Sequence, residues 1–179
     1  MKELSLNILD IAMNSVKAGA KNVDITIDEQ GPELNLTIRD DGCGMSPEQV
    51  EEVTNPFFTT RTTRKVGMGV PLLKLAAEQT GGKLTVTSRQ GEEKHGTETK
   101  ALFYTDHIDF TPLGDIVSSI CTLIQGSPAI DWHFVHGRDG KTVELDTKEL
   151  RQVLGDVPLD SYEVIKWIED YLKEEYGSI

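Results

Sequence analysis

The first twenty residues carry a pattern of apolar positions that predicts a helix buried on nearly every side. Apolar side chains recur all around its helical projection, at Leu6, Ile8, Leu9, Ile11, Ala12, Met13, Val16 and Ala20. One narrow polar stripe interrupts them with the spacing i, i+3, i+7, i+10, which places its members on a single face. They are Asn7, Asp10, Asn14 and Lys17. Because burying an unpaired amide or carboxylate is costly, the stripe needs a partner, and protein side chains, water, a metal ion or a ligand would each serve.

Strict alternation of apolar and polar residues predicts two β-hairpins in the first hundred residues. The first joins strands over residues 23–27 and 34–38 through the turn-forming residues 29–32. The second joins residues 83–89 to residues 96–104. Each strand alternates, so we expect one face of the sheet to be buried and the other to meet solvent.

Two helices are predicted between the hairpins. Residues 46–49 form a capping box with proline at the first helical position, which opens the first of them. Residues 55–69 have no apolar period and are rich in Thr, Arg and Gly, so we expect a loop there; loops of this length are usually either functional lids or disordered. Pro71 is expected to open the second helix. The residues expected to face the core are Leu72, Leu75 and Ala76.

Residues 107–179 read as a second α/β unit. Thr111-Pro112 is expected to cap a helix, and the Asp139-Gly140 turn predicts another hairpin. A last helix would bury the apolar positions between residues 164 and 172. We therefore divide the chain into a first domain, residues 1–106, and an α/β extension.

Composition narrows the class of protein. The 179 residues are 37% hydrophobic and 27% charged, as in a soluble globular protein. No run of about 18 apolar residues exists, so we expect no membrane partner. The first helix carries acidic residues where an export signal would be basic, and Cys43 and Cys121 form no disulfide or metal-binding pattern. We expect a cytoplasmic protein.

The net charge of −12 is concentrated in the extension. Residues 1–104 hold 15 acidic and 12 basic side chains, a net charge of −3, whereas residues 105–179 hold 15 and 6, a net charge of −9. Nucleic-acid binding depends on basic patches, so we expect no nucleic-acid partner. The acidic extension is either a solvated surface or a docking face for a basic protein partner.

Three glycine-containing motifs carry candidate chemistry. Residues 40–44 read D-x-G-x-G at the end of a strand, Gly67-Met68-Gly69 precedes a helix, and Gly96-Thr97 starts a strand. Each alone is explained by turn geometry, although glycines before a helix also let backbone amides approach an anion. Their order along the chain, after the Asp10/Asn14 helix and with a Thr/Arg-rich loop between them, is the informative feature.

That succession resembles the GHKL ATPase superfamily, which contains gyrase-type topoisomerases, the large heat-shock chaperone, sensor histidine kinases and mismatch-repair ATPases. The resemblance covers about residues 3–104. The stretch from Asp10 to Ala20 looks like the mismatch-repair version of the first motif, and residues 57–69 look like the loop of sensor kinases. The implied fold is an α+β two-layer sandwich, with a Bergerat-type mixed sheet covered by helices on one face.

The resemblance also implies roles for individual residues toward ATP and Mg²⁺. Asp40 would accept a hydrogen bond from the adenine amino group, worth roughly 1.5–3 kcal/mol, with Thr97 nearby. Gly42 and Gly44 would keep side chains away from the base, and Asn14 would offer an oxygen to Mg²⁺. The candidate phosphate ligands are Lys17, Thr59, Thr60, Arg61, Arg64 and Lys65, with backbone amides along Gly67, Met68 and Gly69.

Three positions depart from the pattern of the superfamily. Asp10 stands where hydrolysing members usually carry Glu, so this candidate general base is one methylene short of the usual reach. Lys65 replaces a glycine common in sensor kinases, and Lys17 replaces an acidic residue common in mismatch-repair proteins, which favours contact with a triphosphate.

The sequence leaves several activities open for an ATP-binding protein of this type. We expect a stand-alone regulatory domain that acts on an unidentified protein partner, by phosphotransfer or by nucleotide-gated binding. The alternatives are a weak ATPase and a nucleotide-free interaction scaffold. Residues 107–113 share the H-x-x-x-T-P-L spacing of a kinase acceptor box, but they follow the ATP-binding region instead of preceding it.

Overall fold

The computed structural model describes residues 3–55 and 68–179, and these residues form six helices and six strands. In chain order the elements are α1 Leu4–Lys17, β1 Asn22–Gln30, β2 Glu33–Asp40, α2 Pro47–Thr54, α3 Gly69–Gln79, β3 Lys83–Arg89, β4 Gly96–Tyr104, α4 Ile116–Gly126, β5 Asp131–Arg138, β6 Lys141–Asp146, α5 Thr147–Leu154 and α6 Tyr162–Tyr176. Within these ranges no helix has both the length and the apolar character needed to cross a membrane.

All six strands form one sheet in the order β3-β4-β2-β1-β5-β6. The pairing of β1 with β5 is parallel and the other pairings are antiparallel, so the sheet is mixed. Ile25 lies opposite Ile38 on β2 and opposite Phe134 on β5, and all three are at most 2% exposed. One face of the sheet is therefore buried under helices, which confirms the predicted α+β fold.

The strands of the extension continue the sheet of the first domain. Strand β5 runs beside β1 from the pair Asn22/Asp131 to the pair Glu29/Arg138. Trp132 and Phe134 belong to the same buried core as the residues of β1. The boundary drawn at residue 106 stays a prediction, and the sheet crosses it without a break.

Helix α1 is less completely buried than its apolar pattern predicted. Leu6 is 45% exposed and Met13 is 39% exposed, because the helix covers the sheet with only one side. The polar stripe is not uniform either, since Asn7 is buried while Asp10 and Lys17 are exposed. The side-chain amide of Asn7 has no hydrogen-bond partner among the described residues.

Helix α3 turns a different face to the core from the one predicted. It begins at Gly69, and its fully buried residues include Leu73 and Ala77, whereas Leu75 is 51% exposed. A Cβ atom built at Gly69 would lie 3.0 Å from the Cβ of Asp10. This close contact with α1 fixes the rotation of α3, and the local sequence pattern does not contain it.

The predicted cap of the next helix is also wrong. Helix α4 begins at Ile116, and the side chain of Asp115 accepts a hydrogen bond from the Ser118 amide. The carbonyl groups of Pro112 and Leu113 instead accept hydrogen bonds from the first two amides of α1, at 2.8 Å each. Helix N-termini leave such amides unsatisfied, so residues 112–113 cap α1 and precede the start of α4.

A buried polar cluster ties the last helix to the sheet. His136 is fully buried, with Nε2 2.5 Å from Glu29 Oε2 and Nδ1 2.8 Å from the hydroxyl of Tyr176 on α6. Burial lowers the pKa of His136, against the opposing effect of Glu29. Burial raises the pKa of Glu29, but hydrogen bonds from His136 and Arg138 outweigh it and the pKa is lowered. The cluster therefore favours a neutral ring beside an ionised carboxylate.

Candidate functional site

A cavity of about 320 Å³ lies at one end of the sheet, between its buried face and the helices α1 and α2. Its volume is within the range of small-molecule sites, about 300–1,000 Å³. Strands β2, β4 and β3 form the floor. Asp40 lies opposite Thr97, and Thr97 lies opposite Ser88, so these three side chains form one row across the strands.

The next row of the floor and the facing helices make most of the wall apolar. Ile38, Thr99 and Val86 form that row, and Val53 of α2 and Val70 of α3 face it. Such a lining, mostly apolar with a few polar side chains, is typical of sites for small molecules.

Helix α1 contributes the polar side of the cavity. Asn14 and Lys17 line it, and both are accessible to solvent. Asp10 lies one helical turn before Asn14, outside the lining and beside the start of α3. The predicted stripe therefore follows one face of α1 from the contact with α3 to the cavity.

Two hydrogen bonds hold the carboxylate of Asp40. The Ser15 hydroxyl donates to Oδ2 at 2.6 Å, and the Gly42 amide donates to Oδ1 at 2.8 Å. Ser15 is 2% exposed and lies on the buried side of α1, next to Asn14. One lone pair on each carboxylate oxygen remains available to a ligand, because a carboxylate has about four acceptor positions.

The glycines of the loop after β2 are required by the packing of the chain. A Cβ atom at Gly42 would lie 2.7 Å from the Cβ of Ala18 at the end of α1. At Gly44, where φ is +76°, it would lie 1.9 Å from the carbonyl oxygen of Arg89. His95 Nδ1 lies 2.6 Å from the Gly42 carbonyl oxygen and holds the loop from the other side. The loop is thus clamped between α1 and the β3–β4 hairpin.

Asp41 anchors the same loop to the start of β1. Its carboxylate accepts hydrogen bonds from the amides of Lys21 and Asn22 and from the Asn22 side chain, at 2.7–2.9 Å. Burial raises the pKa of Asp41, but these hydrogen bonds outweigh it, so the pKa lies below its usual value. The neighbouring Asp40 is left as the carboxylate that faces the cavity.

The structure brings part of the predicted site together. Five of the predicted residues line the cavity: Asn14, Lys17, Asp40, Gly44 and Thr97. Gly42 is bonded to Asp40 behind them, and Met68 and Gly69 begin α3 outside the lining. The remaining candidates lie outside the described residues: Thr59, Thr60, Arg61, Arg64, Lys65 and Gly67.

Sequence reasoning missed two hydroxyl groups. Ser15 holds Asp40, and Ser88 contacts both Thr97 and the loop after β2. Ser15 had one available signal, since it follows the apolar residues Ile11 and Ala12 by one helical turn, and a hydroxyl group buried beside them needs a partner. Ser88 had none, because a serine that ends a strand is common.

The described residues offer little for a metal ion by themselves. Among them there is no group of three His, Cys, Asp or Glu side chains that could hold one. Asn14 is an oxygen donor on the cavity wall. Mg²⁺ takes few protein ligands and completes its octahedron with phosphates and water, so this donor set fits a magnesium ion that arrives with a phosphorylated ligand.

Comparison with known proteins supports a common fold. The chain is similar to the sensor histidine kinase ZraS of Escherichia coli O157:H7, with 28% identity over 87 residues, 48% of this chain and 19% of ZraS. It is similar to the sensor protein SrrB of Staphylococcus aureus strain NCTC 8325 / PS 47, with 32% identity over 97 residues, 51% of this chain and 16% of SrrB. The matched region is thus less than a fifth of each relative.

A solved structure extends the likeness in fold beyond the first domain. The ATPase domain of MutL from Aquifex aeolicus, solved in complex with ADP, superposes with a TM-score of 0.54 at 15% identity, over 86% of this chain and 69% of that domain. The family model described as histidine kinase-, DNA gyrase B- and HSP90-like ATPase matches residues 1–107, more than half of the chain. The chain therefore belongs to this family of ATPases.

Proposed function

We propose that the cavity binds ATP and that the protein is a regulatory domain acting on a protein partner. The observation that supports this most directly is the convergence of Asp40, Thr97 and Asn14 on a single cavity of about 320 Å³. The cavity has a hydrogen-bond acceptor at one position, apolar walls, and an amide and an ammonium group on α1. The acceptor is complementary to the amino group of a base, the apolar walls to its ring faces, and the amide and ammonium groups to a polyphosphate.

The base would lie against the floor of the sheet. Asp40 accepts from the adenine amino group with a lone pair that Ser15 and Gly42 leave free, and the hydrogen bond contributes roughly 1.5–3 kcal/mol. Ile38 and Val86 contact the ring. Losing the acceptor at Asp40 should weaken ATP binding at least tenfold.

The phosphates would lie along α1. Lys17 offers an ammonium group and Asn14 a carbonyl oxygen, and Mg²⁺ would be held by Asn14 together with phosphate oxygens. The metal supplies charge neutralisation at the phosphates. If ATP is hydrolysed, Asp10 is the proposed general base. Its side chain is one methylene group shorter than that of the usual Glu, and the Asp10→Glu variant supplies that missing length.

Titration calorimetry tests the nucleotide site. Wild type should bind ATP in the micromolar range and more tightly with Mg²⁺, and Asp40→Asn should bind at least tenfold more weakly. Asp28→Asn is the matched control, because Asp28 lies on β1 and bonds only Gln30 among the described residues. Wild-type protein that binds neither ATP nor ADP would refute the proposal and leave the interaction scaffold.

Phosphate transfer separates the two proposed modes of action. The protein is incubated with γ-³²P-labelled ATP alone and with candidate partner proteins. Label on a partner supports a kinase, whereas capture of the partner that depends on ATP, without label, supports nucleotide-gated binding. Label retained by the chain alone would point to the acceptor-like residues 107–113. The extension, with a net charge of −9 over residues 105–179, is the proposed partner face.

A further inference from the structure

The hydroxyl group of Ser88, at the end of β3, connects three parts of the candidate site. Ser88 Oγ accepts a hydrogen bond from the Met45 amide at 2.7 Å, which fixes the loop after β2. It also lies 2.7 Å from Thr97 Oγ1 and 3.2 Å from the carbonyl oxygen of Gly96, and its single proton can be donated to only one of these two oxygens. Thr97 lines the cavity and Ser88 lies behind it.

A hydroxyl group has one proton and two lone pairs, so these contacts allow only two proton arrangements. In the first, Ser88 donates to Thr97, and the Thr97 proton is free to point into the cavity. In the second, Thr97 donates to Ser88, Ser88 donates to the Gly96 carbonyl, and the lone pairs of Thr97 face the cavity. The Met45 amide bonds to Ser88 in both arrangements.

We propose that Ser88 is a positioning residue that holds the Thr97 hydroxyl as a donor to the base, an inference that rests on the proposed ATP site. Thr97 lies directly opposite Asp40 in the β2–β4 pairing. Side chains in such pairs have Cβ atoms about 4.5–5.5 Å apart. A base whose amino group meets Asp40 therefore presents the adjoining edge of its ring to Thr97.

The chemistry of adenine then selects the first arrangement. The ring nitrogens that flank the amino group, N1 and N7, carry lone pairs and no hydrogen. Thr97 must donate to one of them, directly or through one water molecule, and Ser88 must donate to Thr97. A 6-oxo purine with hydrogen on N1 would instead select the second arrangement. Discrimination against such bases thus depends on Asp40, and Ser88 sets the strength of binding.

A double-mutant cycle tests whether Ser88 acts through Thr97. ATP binding is measured by calorimetry for wild type, Ser88→Ala, Thr97→Val and the double variant, with thermal unfolding to confirm that each is folded. We expect Ser88→Ala to weaken binding about five- to tenfold, as for the loss of one hydrogen bond. The double variant should bind no more weakly than Thr97→Val, since residues that act as a unit are not additive.

A second readout distinguishes positioning from a structural role. Analogues of ATP lacking N1 or N7 remove the acceptor, and wild type should lose affinity for one of them. That loss should shrink to less than twofold in Ser88→Ala, while Ser88→Thr, which keeps a hydroxyl group, should behave as wild type. Should Ser88→Ala fail to fold, Ser88→Cys replaces it with a group of similar size that donates weakly.

Three results would overturn the inference. If Ser88→Ala binds ATP like wild type, or if its loss adds fully to that of Thr97→Val, Ser88 does not act through Thr97. If the loss on the deaza analogues is the same in wild type and Ser88→Ala, Ser88 acts only by supporting the loop at Met45. Wild-type protein that does not bind ATP at all would instead refute the proposed function on which the inference rests.

Discussion

The hydrogen bond from Ser15 to Asp40 makes the sharpest prediction, because it joins the stability of the fold to the candidate site. The bond is 2.6 Å long, its donor is 2% exposed, and it joins α1 to the end of β2. In Ser15→Ala the Asp40 carboxylate keeps only the Gly42 amide as a described donor. The carboxylate therefore remains at the cavity with one of its two described hydrogen bonds removed.

The magnitude follows from the charge of the acceptor. A hydrogen bond to an ionised group contributes about 1.5–3 kcal/mol, and removing the hydroxyl forfeits it. For a chain of this length a change of 1 kcal/mol shifts the melting temperature by about 2–4 °C, so Ser15→Ala should melt about 3–12 °C below wild type. ATP affinity should fall as well, by at least threefold, because the carboxylate is no longer held in one orientation.

Ser119→Ala is the matched control. Ser119 is also buried at 4% exposure and also donates to a group on α1, the carbonyl oxygen of Ser5 at 3.0 Å, but it lies outside the cavity lining. It should lower stability by about 1 kcal/mol and leave the ATP dissociation constant unchanged. Equal ATP affinity in folded Ser15→Ala and wild type would contradict the assigned role of Ser15, and a loss of affinity in both variants would show a general effect of stability.

Three further predictions concern packing, pH and thiol chemistry. Gly44→Ala should lower the free energy of unfolding, measured in urea, by about 2–4 kcal/mol, because its Cβ would lie 1.9 Å from a carbonyl oxygen of β3. The control Gly31→Ala, with φ +57° and nothing within 4 Å of the added Cβ, should lower it by only about 1 kcal/mol. Burial lowers the pKa of His136, so this ring gains its proton in the unfolded chain first, and its contribution to the free energy of unfolding should fall as pH drops below 6.5; a His136→Phe variant whose pH slope equals that of wild type would contradict this. Iodoacetamide should label the exposed Cys43, which lines the cavity, and spare the buried Cys121, where burial and then the charge of Glu169 raise the pKa to about 11. ATP should slow the labelling of Cys43, and equal rates with and without ATP would place Cys43 away from the ligand.

The strands could be predicted from the sequence because their alternation records the burial of one face. The second hairpin was predicted over residues 83–89 and 96–104, which are the bounds of β3 and β4. The capping box at residues 46–49 is present as predicted. Such signals are local, since each depends on residues within a few positions of one another.

The predictions that failed depend on contacts between distant parts of the chain. The core face of α3 is set where Gly69 meets Asp10, a contact between segments 59 positions apart. The start of α4 is delayed to Ile116 because residues 112–113 satisfy the amides of α1. No periodicity within either helix records these partners, so the local pattern placed the core face of α3 and the start of α4 a few residues from their observed positions.

Part of the candidate site could likewise be predicted from the sequence, and part depends on contacts between distant residues. Asn14, Asp40 and Thr97 were identified because their types and order resemble a known family, and they line one cavity. Ser15 and Ser88 were missed because the role of a hydroxyl group depends on its hydrogen-bond partner, and the partner of Ser15 is 25 residues away. Residue types therefore indicated three residues of the cavity lining, whereas the hydroxyl groups that contact Asp40 and Thr97 required coordinates.

Helix α1 connects the candidate site to the acidic extension through hydrogen bonds at both of its ends. Its last turn carries Asn14 and Ser15 at the cavity, while its first amides bond to residues 112–113 and Ser119 of α4 donates to Ser5. A helix of 14 residues is about 21 Å long, so α1 spans about that distance between the cavity and its contacts with the extension. Strand β5 runs beside β1 on the same sheet and gives the extension a fixed base. Because Ser119 bonds to the N-terminal end of α1, away from the cavity, Ser119→Ala should leave the affinity for ATP unchanged; an increase in that affinity would show that the two ends of α1 are energetically coupled.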